Sequence, residues 1–463
     1  MKTIFITLHN TFAIRNLFRS GALSVLLNER DTRVVALVPE EKIPYYQKEF
    51  KDVIFERLPV EARNSWIERF FYFLTVDSIH TNSVKIQQYS QVFRIGSRSY
   101  FLQRIFFFPL QRLFWRLGAF SWWRPFVRRL YSFLPSGLYG ELFEKYKPNL
   151  VFAANMIFAD DYRLILEAKR RGIKTMGMIL SWDNLMTKSF LQVFPDRLIV
   201  HNPIIQEDAF YYAGYPKERV IVTGIPQYDM YFRKNYIMPR DEFILSIGGD
   251  PKRKFILYAA SGKTSMLFDI DIVDIIQRAI ESGRVRGRPQ LLVRPYPRYD
   301  FSPEKVKKVK SFKNVLIYSP VKHLGTGRDD WEFSDEALKF LVNSLAHSDV
   351  VIDASSTFLI EGVVFDKPTI SALFDGYQKV DYWNSMRKMF DFEHLAAIKK
   401  IGAIDFSLSE DELYNDINEA LENPGKRREE RKKMVSRQCA FTDGKSAERV
   451  AKAILDTLNH AKN

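Results

Sequence analysis

The feature that most constrains this chain is an alternation. Short β-rich runs are separated by helical stretches of about ten to fifteen residues, in two successive tracts. The first tract reads "TIFITL", a helical stretch over residues 12–27, then "RVVALV". After an interruption it resumes with "PNLVFAA", a helix over 159–171, "IKTMGMIL", "DRLIVHN" and "RVIVTG". The second tract reads "KFILYAA", a helix over 270–281, "PQLLVRPYP", "NVLIYS", a helix over 334–346, "DVVIDAS" and "KPTISAL". Such alternation builds doubly wound parallel sheets covered by helices on both faces. The 463 residues also exceed the ~250–300 that a single core serves. Two Rossmann-like domains are therefore expected, over residues 1–228 and 255–406. A linker over 229–254 joins them, and charged helical residues over 407–463 complete the chain.

The interruption, about residues 60–145, is unusual in charge. Residues 78–140 contain no Asp or Glu but nine Lys or Arg. The whole chain carries 69 basic and 55 acidic residues, a formal charge of +14. The segment "RSYFLQRIFFFPLQRLFWRLGAFSWWRPFVRRLYSFLP" places Arg112 with Arg116, and Arg124 with Arg128, four residues apart and so on one helical face each. Pro109 and Pro125 suit the first turns of successive helices. Basic amphipathic helices rich in Trp and Phe suit an anionic membrane surface. Arg104, Arg112, Trp115, Arg116, Trp122, Trp123, Arg124 and Arg128 are the candidate membrane residues. Packing of the same aromatics into the first domain's core is the plainer reading. Nucleic acid is disfavoured, because bulky aliphatic and Phe residues replace the isolated stacking aromatics of RNA-binding modules.

Other whole-chain features narrow the class. The single cysteine, Cys439, excludes an internal disulfide and a thiolate zinc site. "MKTIFITLHN" reads as a first strand rather than a signal peptide. No run approaches the ~18 apolar residues of a spanning helix. A cytoplasmic protein, peripheral on the inner face of the plasma membrane, is the expected setting.

Parallel sheets bind ligands beyond the carboxyl ends of their strands. Three strand ends in the second tract carry chemistry suited to anions. "VVIDASSTFLIEG" ends a strand at Ser355, Ser356 and Thr357, with Glu361 one turn into the next helix. Hydroxyls and leading amides there suit a pyrophosphate, and Glu361 suits a ribose diol. An ordinary capped helix fits the same letters. "LYAASGKTS" places Ser261, Gly262, Lys263 and Thr264 at a second strand end, without the first glycine of a P-loop. "LLVRPYPR" places Arg294 and Arg298 at a third. Together they define one nucleotide-diphosphate cleft.

These segments resemble a family. "DVVIDASSTFLIEGVVFDKPTI" and "RPYPR" resemble the C-terminal half of GT-B-fold enzymes. That group includes nucleotide-sugar glycosyltransferases, UDP-N-acetylglucosamine 2-epimerases and CDP-glycerol-type polyol phosphotransferases. "SWDNLMTKS" and "GYPKERVIVTGIPQYDMY" resemble segments of bacterial surface-polysaccharide glycosyltransferases. The resemblance implies a GT-B fold, donor pyrophosphate on Ser355, Ser356 and Thr357, ribose on Glu361, and catalysis in a cleft between domains. Two departures matter. Tyr296 stands where relatives often carry the histidine of R-P-H-P, which counts against polyol-phosphate transfer. "SWDNLMTK" replaces the glutamate-bearing segment of the epimerases.

The expected activity is glycosyl transfer from a nucleotide-sugar substrate, with no separate cofactor, to a lipid-linked or growing surface glycan. CDP-polyol phosphotransfer and a non-catalytic membrane scaffold are the alternatives. The base for the acceptor hydroxyl is sought at strand ends of the first domain. Asp183 in "SWDN" is the first candidate, then His9 in "TLHNTF", then Asp161 or Asp160 in "FADDYR". Each also fits a turn, a loop or a helix start. Asp269-x-Asp271 has metal-motif spacing but sits at a helix start, and no metal site is expected. His201 and His323 are minor candidates.

Overall fold

In a computed structural model, which describes residues 1–59, 65–93, 103–260, 268–296, 303–324 and 331–460, the chain forms two compact units. The first is Met1–Asp229 with Cys439–Asn463, and the second is Met230–Gln438.

The first unit carries β1 (Lys2–Thr7), β2 (Thr32–Val38), β3 (Ile54–Arg57), β4 (Leu150–Ala153), β5 (Lys174–Met178), β6 (Arg197–Val200) and β7 (Val220–Val222). They form one sheet in the order β3-β2-β1-β4-β5-β6-β7, parallel at every pairing. Its strands read as continuous apolar runs because both faces are covered. Alternate residues serve opposite faces: Phe5, Val35, Leu37 and Val151 enter one core, and Ile4, Ile6, Val34 and Phe152 the other.

The second unit carries β8 (Phe255–Ala259), β9 (Gln290–Arg294), β10 (Val315–Ile317), β13 (Val350–Asp353), β14 (Thr369–Ala372) and β15 (Asp405–Ser407). Their order is β10-β9-β8-β13-β14-β15, again parallel throughout. A separate antiparallel pair of two-residue strands, β11 (Lys322–His323) and β12 (Trp331–Glu332), stands apart from the sheet. Both sheets reverse direction once, at β1/β4 and at β8/β13. Those switch points are where doubly wound sheets hold ligands. The helix Phe358–Val364 lies close over β13 and β14. A Cβ on Gly362 would fall 2.6 Å from Thr369 Oγ1 and 3.1 Å from Val351 Cβ.

The expected two-domain GT-B architecture is the one observed. Its details differ from the sequence reading in four places. Residues 12–27 form two helices, Thr11–Leu17 and Ala22–Leu27. They are broken at Gly21, whose φ of 106° lies in the left-handed region. Residues 230–254 belong to the second unit and include the helix Arg240–Ser246. The terminal helices are divided: Glu410–Glu422 lies in the second unit, and Ser446–Asn459 returns to the first. Short β3 and β15 were not anticipated, because runs of four and three residues carry little periodicity.

Candidate functional site

At the β8/β13 switch point, β13 ends at Asp353. Its carboxyl is fully buried, and burial pushes it up to about 7 against the pull of the Ser356 hydroxyl. The Ser356 hydroxyl donates to its Oδ2, while Oδ1 has no hydrogen-bond partner among the described residues. Ser356 Oγ also accepts the N–H of Phe358 at 3.1 Å. The loop thus winds around a carboxyl of its own. The Ser356 hydroxyl, expected to face pyrophosphate, is turned to Asp353 and to Phe358. Ser355 and Thr357 are half-buried, and their hydroxyls have no side-chain hydrogen bond among the described residues.

Arg294 ends the neighbouring strand β9, with its guanidinium carbon 5.2 Å from the Phe358 ring centre. Arg294 and the hydroxyl loop therefore share the carboxyl edge. Glu361 is buried one turn behind, and its Oε2 accepts the hydroxyl of Tyr231 at 2.5 Å. Tyr296, two residues past the end of β9, packs its ring against the second unit's core. Ser261, Gly262, Lys263, Thr264 and Arg298 lie outside the described residues.

Asp269 and Asp271 point to different partners. Asp269 accepts the buried Tyr258 hydroxyl at 2.6 Å. Asp271 lies against Gly376, and its Oδ2 accepts the Tyr377 N–H at 3.4 Å.

The first unit gathers three catalytic candidates at the β1/β4 switch point. His9 follows β1, and Asp160 and Asp161 open the helix Ala159–Arg170. His9 Nε2 is 2.9 Å from Asp161 Oδ2, and its Nδ1 is 3.7 Å from Asp160 Oδ2. The Thr7 hydroxyl donates to Asp161 Oδ1 at 2.5 Å and accepts the Ala154 N–H at 3.0 Å. All three ionisable side chains are fully shielded from solvent. Asp183 stands apart from this cluster, beyond β5. It accepts the Ser181 hydroxyl at 2.6 Å and pairs with Lys188 at 3.0 Å across the short helix Asn184–Thr187. His201 is buried, and desolvation lowers it to about 4, so it is neutral at ordinary pH. The His323 side chain lies outside the described residues.

The basic insertion is helical: Trp66–Asp77, Asn82–Val92, Phe108–Leu117 and Trp123–Tyr131. Its arginines do not all face outward as expected. Arg124 donates to the carbonyls of Tyr211 and Tyr212 at 2.6 and 2.8 Å. Arg128 donates to that of Ala213 at 3.0 Å and lies 4.2 Å over the Phe194 ring. Burial, with repulsion from Arg124, lowers Arg128 to about 10. Both therefore cap the carbonyl end of the helical segment that follows β6. Trp123 is buried, with Nε1 on Ser78 Oγ at 2.8 Å. Trp115 donates to the Thr81 carbonyl at 2.8 Å and carries Arg112 stacked at 4.4 Å. Arg104 and Arg116 are exposed. The exposed apolar surface includes Ile105, Phe106, Leu110 and Leu113 as well as an aromatic group. Phe120, Trp122 and Phe126 are about half exposed, and Trp122 lies 6.3 and 6.2 Å from the other two rings. Among the described residues no helix is long and apolar enough to cross a membrane.

A family model described as CDP-glycerol:poly(glycerophosphate) glycerophosphotransferase matches residues 174–456, more than half of the chain. The chain belongs to that family. The glycerophosphotransferase match spans β5 to the returning C-terminal helix, and so includes the whole second unit. No curated protein sequence matches. Among solved structures, a UDP-GlcNAc 2-epimerase from Neisseria meningitidis is 12% identical, covering 98% of this chain and 100% of its own, with a TM-score of 0.53. A glycosyltransferase from Rickettsia africae is 10% identical, with 99% of each chain covered and a TM-score of 0.51. The wall teichoic acid polymerase TagF is 10% identical, covering 99% of this chain and 88% of its own, with a TM-score of 0.50. At such identities the likeness is one of fold. Family and fold together make this protein a GT-B-type transferase of the glycerophosphotransferase family.

Sequence reasoning missed two residues of the second unit's edge. Asp353 was visible as an acid closing an apolar strand, a placement that costs free energy unless it is hydrogen-bonded. Tyr231 had no local signal, since 130 residues separate it from Glu361.

Proposed function

We propose that this family member transfers a sugar from a nucleotide-diphosphate donor to a lipid-linked or growing surface glycan. The observation that carries the reading is the edge of the second unit, where Ser355, Thr357 and Arg294 gather with the buried Glu361 one turn behind. Hydroxyls and a guanidinium suit a leaving diphosphate, and a carboxylate suits a ribose diol. In sugar transfer the acceptor oxygen attacks the anomeric carbon. The bond from that carbon to the diphosphate breaks, the nucleoside diphosphate leaves with the electron pair, and the acceptor proton passes to a base. Asp183, His9 and Asp161 are the candidates for that base; the His9–Asp161 pair is shielded from solvent, and Asp183 is partly exposed. Sugar is preferred over polyol phosphate because position 296 offers a core-packed phenol where polyol phosphotransfer calls for an imidazole.

The second reading is polyol-phosphate transfer from a CDP-polyol, favoured by the family match. There the acceptor attacks the polyol-bearing phosphorus and CMP leaves. The leaving groups separate the two readings. The protein should be incubated with a panel of nucleotide sugars, CDP-glycerol and CDP-ribitol, over membrane-derived acceptors, and the released nucleotide identified. A nucleoside diphosphate from a sugar donor supports the first reading. CMP from a CDP-polyol overturns it in favour of the second, and turnover of neither class overturns the transferase assignment to this edge.

The setting we propose is an anionic membrane surface, met through Phe120, Trp122 and Phe126 together with the exposed Arg104, Arg116 and Arg129. Half-exposed aromatics clustered within an acid-free stretch are what an interfacial segment needs.

A further inference from the structure

We infer that Tyr231 is a positioning residue for the donor's ribose, acting through Glu361. The inference rests on the donor reading above and deepens it. Glu361 is a buried carboxylate, and among the described residues its side chain has one hydrogen-bond partner, the Tyr231 hydroxyl at 2.5 Å, and no ion-pair partner. Buried glutamates are rare without a cationic partner. An ionised carboxylate offers about four acceptor positions, and one phenol fills one of them. The remaining capacity is what a vicinal diol, with its two donors, would use.

The placement of Tyr231 suits a brace more than a chance contact. Its ring lies 5.1 Å from that of Phe365, and Phe365 follows Glu361 by four residues along the helix Phe358–Val364 and its cap. Residues four apart share one helical face. Ring and hydroxyl therefore run along one side of that helix. Phe365 seats the ring, and the hydroxyl holds one carboxylate oxygen. A carboxylate fixed at Oε2 presents Oε1 in a defined direction, and such preorganisation favours a ligand of fixed geometry. The ligand class is a ribonucleoside diphosphate recognised at its 2′,3′-diol, and Tyr231 sets the discrimination against donors that lack it.

The test compares UDP and CDP with their 2′,3′-dideoxy forms by calorimetry, using the full chain. The proteins are wild type, Tyr231→Phe and Glu361→Gln, with thermal unfolding measured in parallel. Wild type should prefer the ribo form of one nucleotide by about tenfold or more. Tyr231→Phe should narrow the preference to about two- to threefold, by weakening the ribo form alone. Glu361→Gln should narrow it at least as far. If Tyr231→Phe keeps the wild-type preference, or weakens ribo and dideoxy forms equally, the positioning role is overturned while the donor site stands. If wild type binds neither nucleotide, or binds both forms equally, the ribose assignment of Glu361 fails and the proposal with it. Should Tyr231→Phe not fold, Phe365→Leu, which loosens the ring and keeps the hydroxyl, should show the same narrowing, and an unchanged preference there overturns the role.

Discussion

Ser355, Ser356 and Thr357 are alike in sequence and unlike in place. Ser356 donates to Asp353 and accepts from Phe358, so its hydroxyl belongs to the loop. Among the described residues its neighbours' hydroxyls have no side-chain hydrogen bond, and the two kinds should respond differently to substitution. Ser355→Val or Thr357→Val should weaken donor binding several-fold with little change in stability. Ser356→Val should cost about 1–3 kcal/mol, because it strips a donor from a buried carboxyl. Nucleotide affinity and urea unfolding, measured on the same three proteins, check the division. An equal affinity loss at all three positions, with no stability change at 356, would contradict it. Asp353 adds a pH signature. Its folded-state pKa is raised to about 7 by burial, so between about pH 4 and 7 the folded chain holds a proton that the unfolded chain has released. Stability therefore falls as pH rises through that window and levels off above it. Glu68, raised to about 7 chiefly by burial, contributes in the same sense. Removing one such group should flatten the slope by up to about 1.4 kcal/mol per pH unit, and Asp353→Asn, followed by urea unfolding at pH 5, 6 and 7, measures it. The strand-to-helix motif was legible as a site. Which hydroxyl turns inward was not, because that depends on the depth of Asp353 beneath the loop.

At the scale of elements, periodicity carried most of the fold and misassigned one face. The runs that read as strands are strands, and the helix expected over 334–346 runs Asp335–His347, with the Ser334 hydroxyl accepting the Ala337 N–H at 3.1 Å. Spacing four apart does place Arg124 and Arg128 together. It cannot say whether that shared face meets solvent, lipid or another helix. Here it meets the carbonyl end of the segment after β6, where cations are favoured. Phe120, Trp122 and Phe126 are among the residues that do face outward. Two variants separate these roles. Arg128→Ala should lower unfolding free energy by roughly 1–3 kcal/mol through lost charged hydrogen bonds, with vesicle binding retained. Trp122→Ser with Phe126→Ser should abolish cosedimentation with phosphatidylglycerol vesicles while leaving the unfolding midpoint nearly unchanged. Retained cosedimentation of the double variant would remove the aromatic group from the membrane assignment.

At the scale of the whole molecule, the chain crosses between units twice, between Asp229 and Met230 and again between Gln438 and Cys439. The second crossing was not legible. The spacing of Val450, Ile454 and Leu458 announces an amphipathic helix, but an apolar stripe does not name the core it enters. The structure puts all three into the first unit's core beside Ile4 and Val34. Asp229, the last residue before the first crossing, receives the helix. Its carboxylate accepts the N–H groups of Ser446 and Ala447 at 2.9 and 2.7 Å. Full burial of Val, Ile and Leu side chains is worth about 1.5–3 kcal/mol each, so these three contribute roughly 5–9 kcal/mol, comparable to the whole stability of an ordinary domain. Deleting residues 440–463 should therefore unfold the first unit and spare the second. Calorimetry of the truncated chain should lose one thermal transition, limited proteolysis should leave a resistant fragment near 230–438, and that fragment should still bind the nucleotide that the full chain binds. Asp229→Ala is the milder form of the same experiment. It removes the acceptor for two leading amides and should cost about 1–2 kcal/mol in the first unit's transition alone. A truncated chain that keeps both transitions would show that the returning helix covers the first core without being needed to hold it.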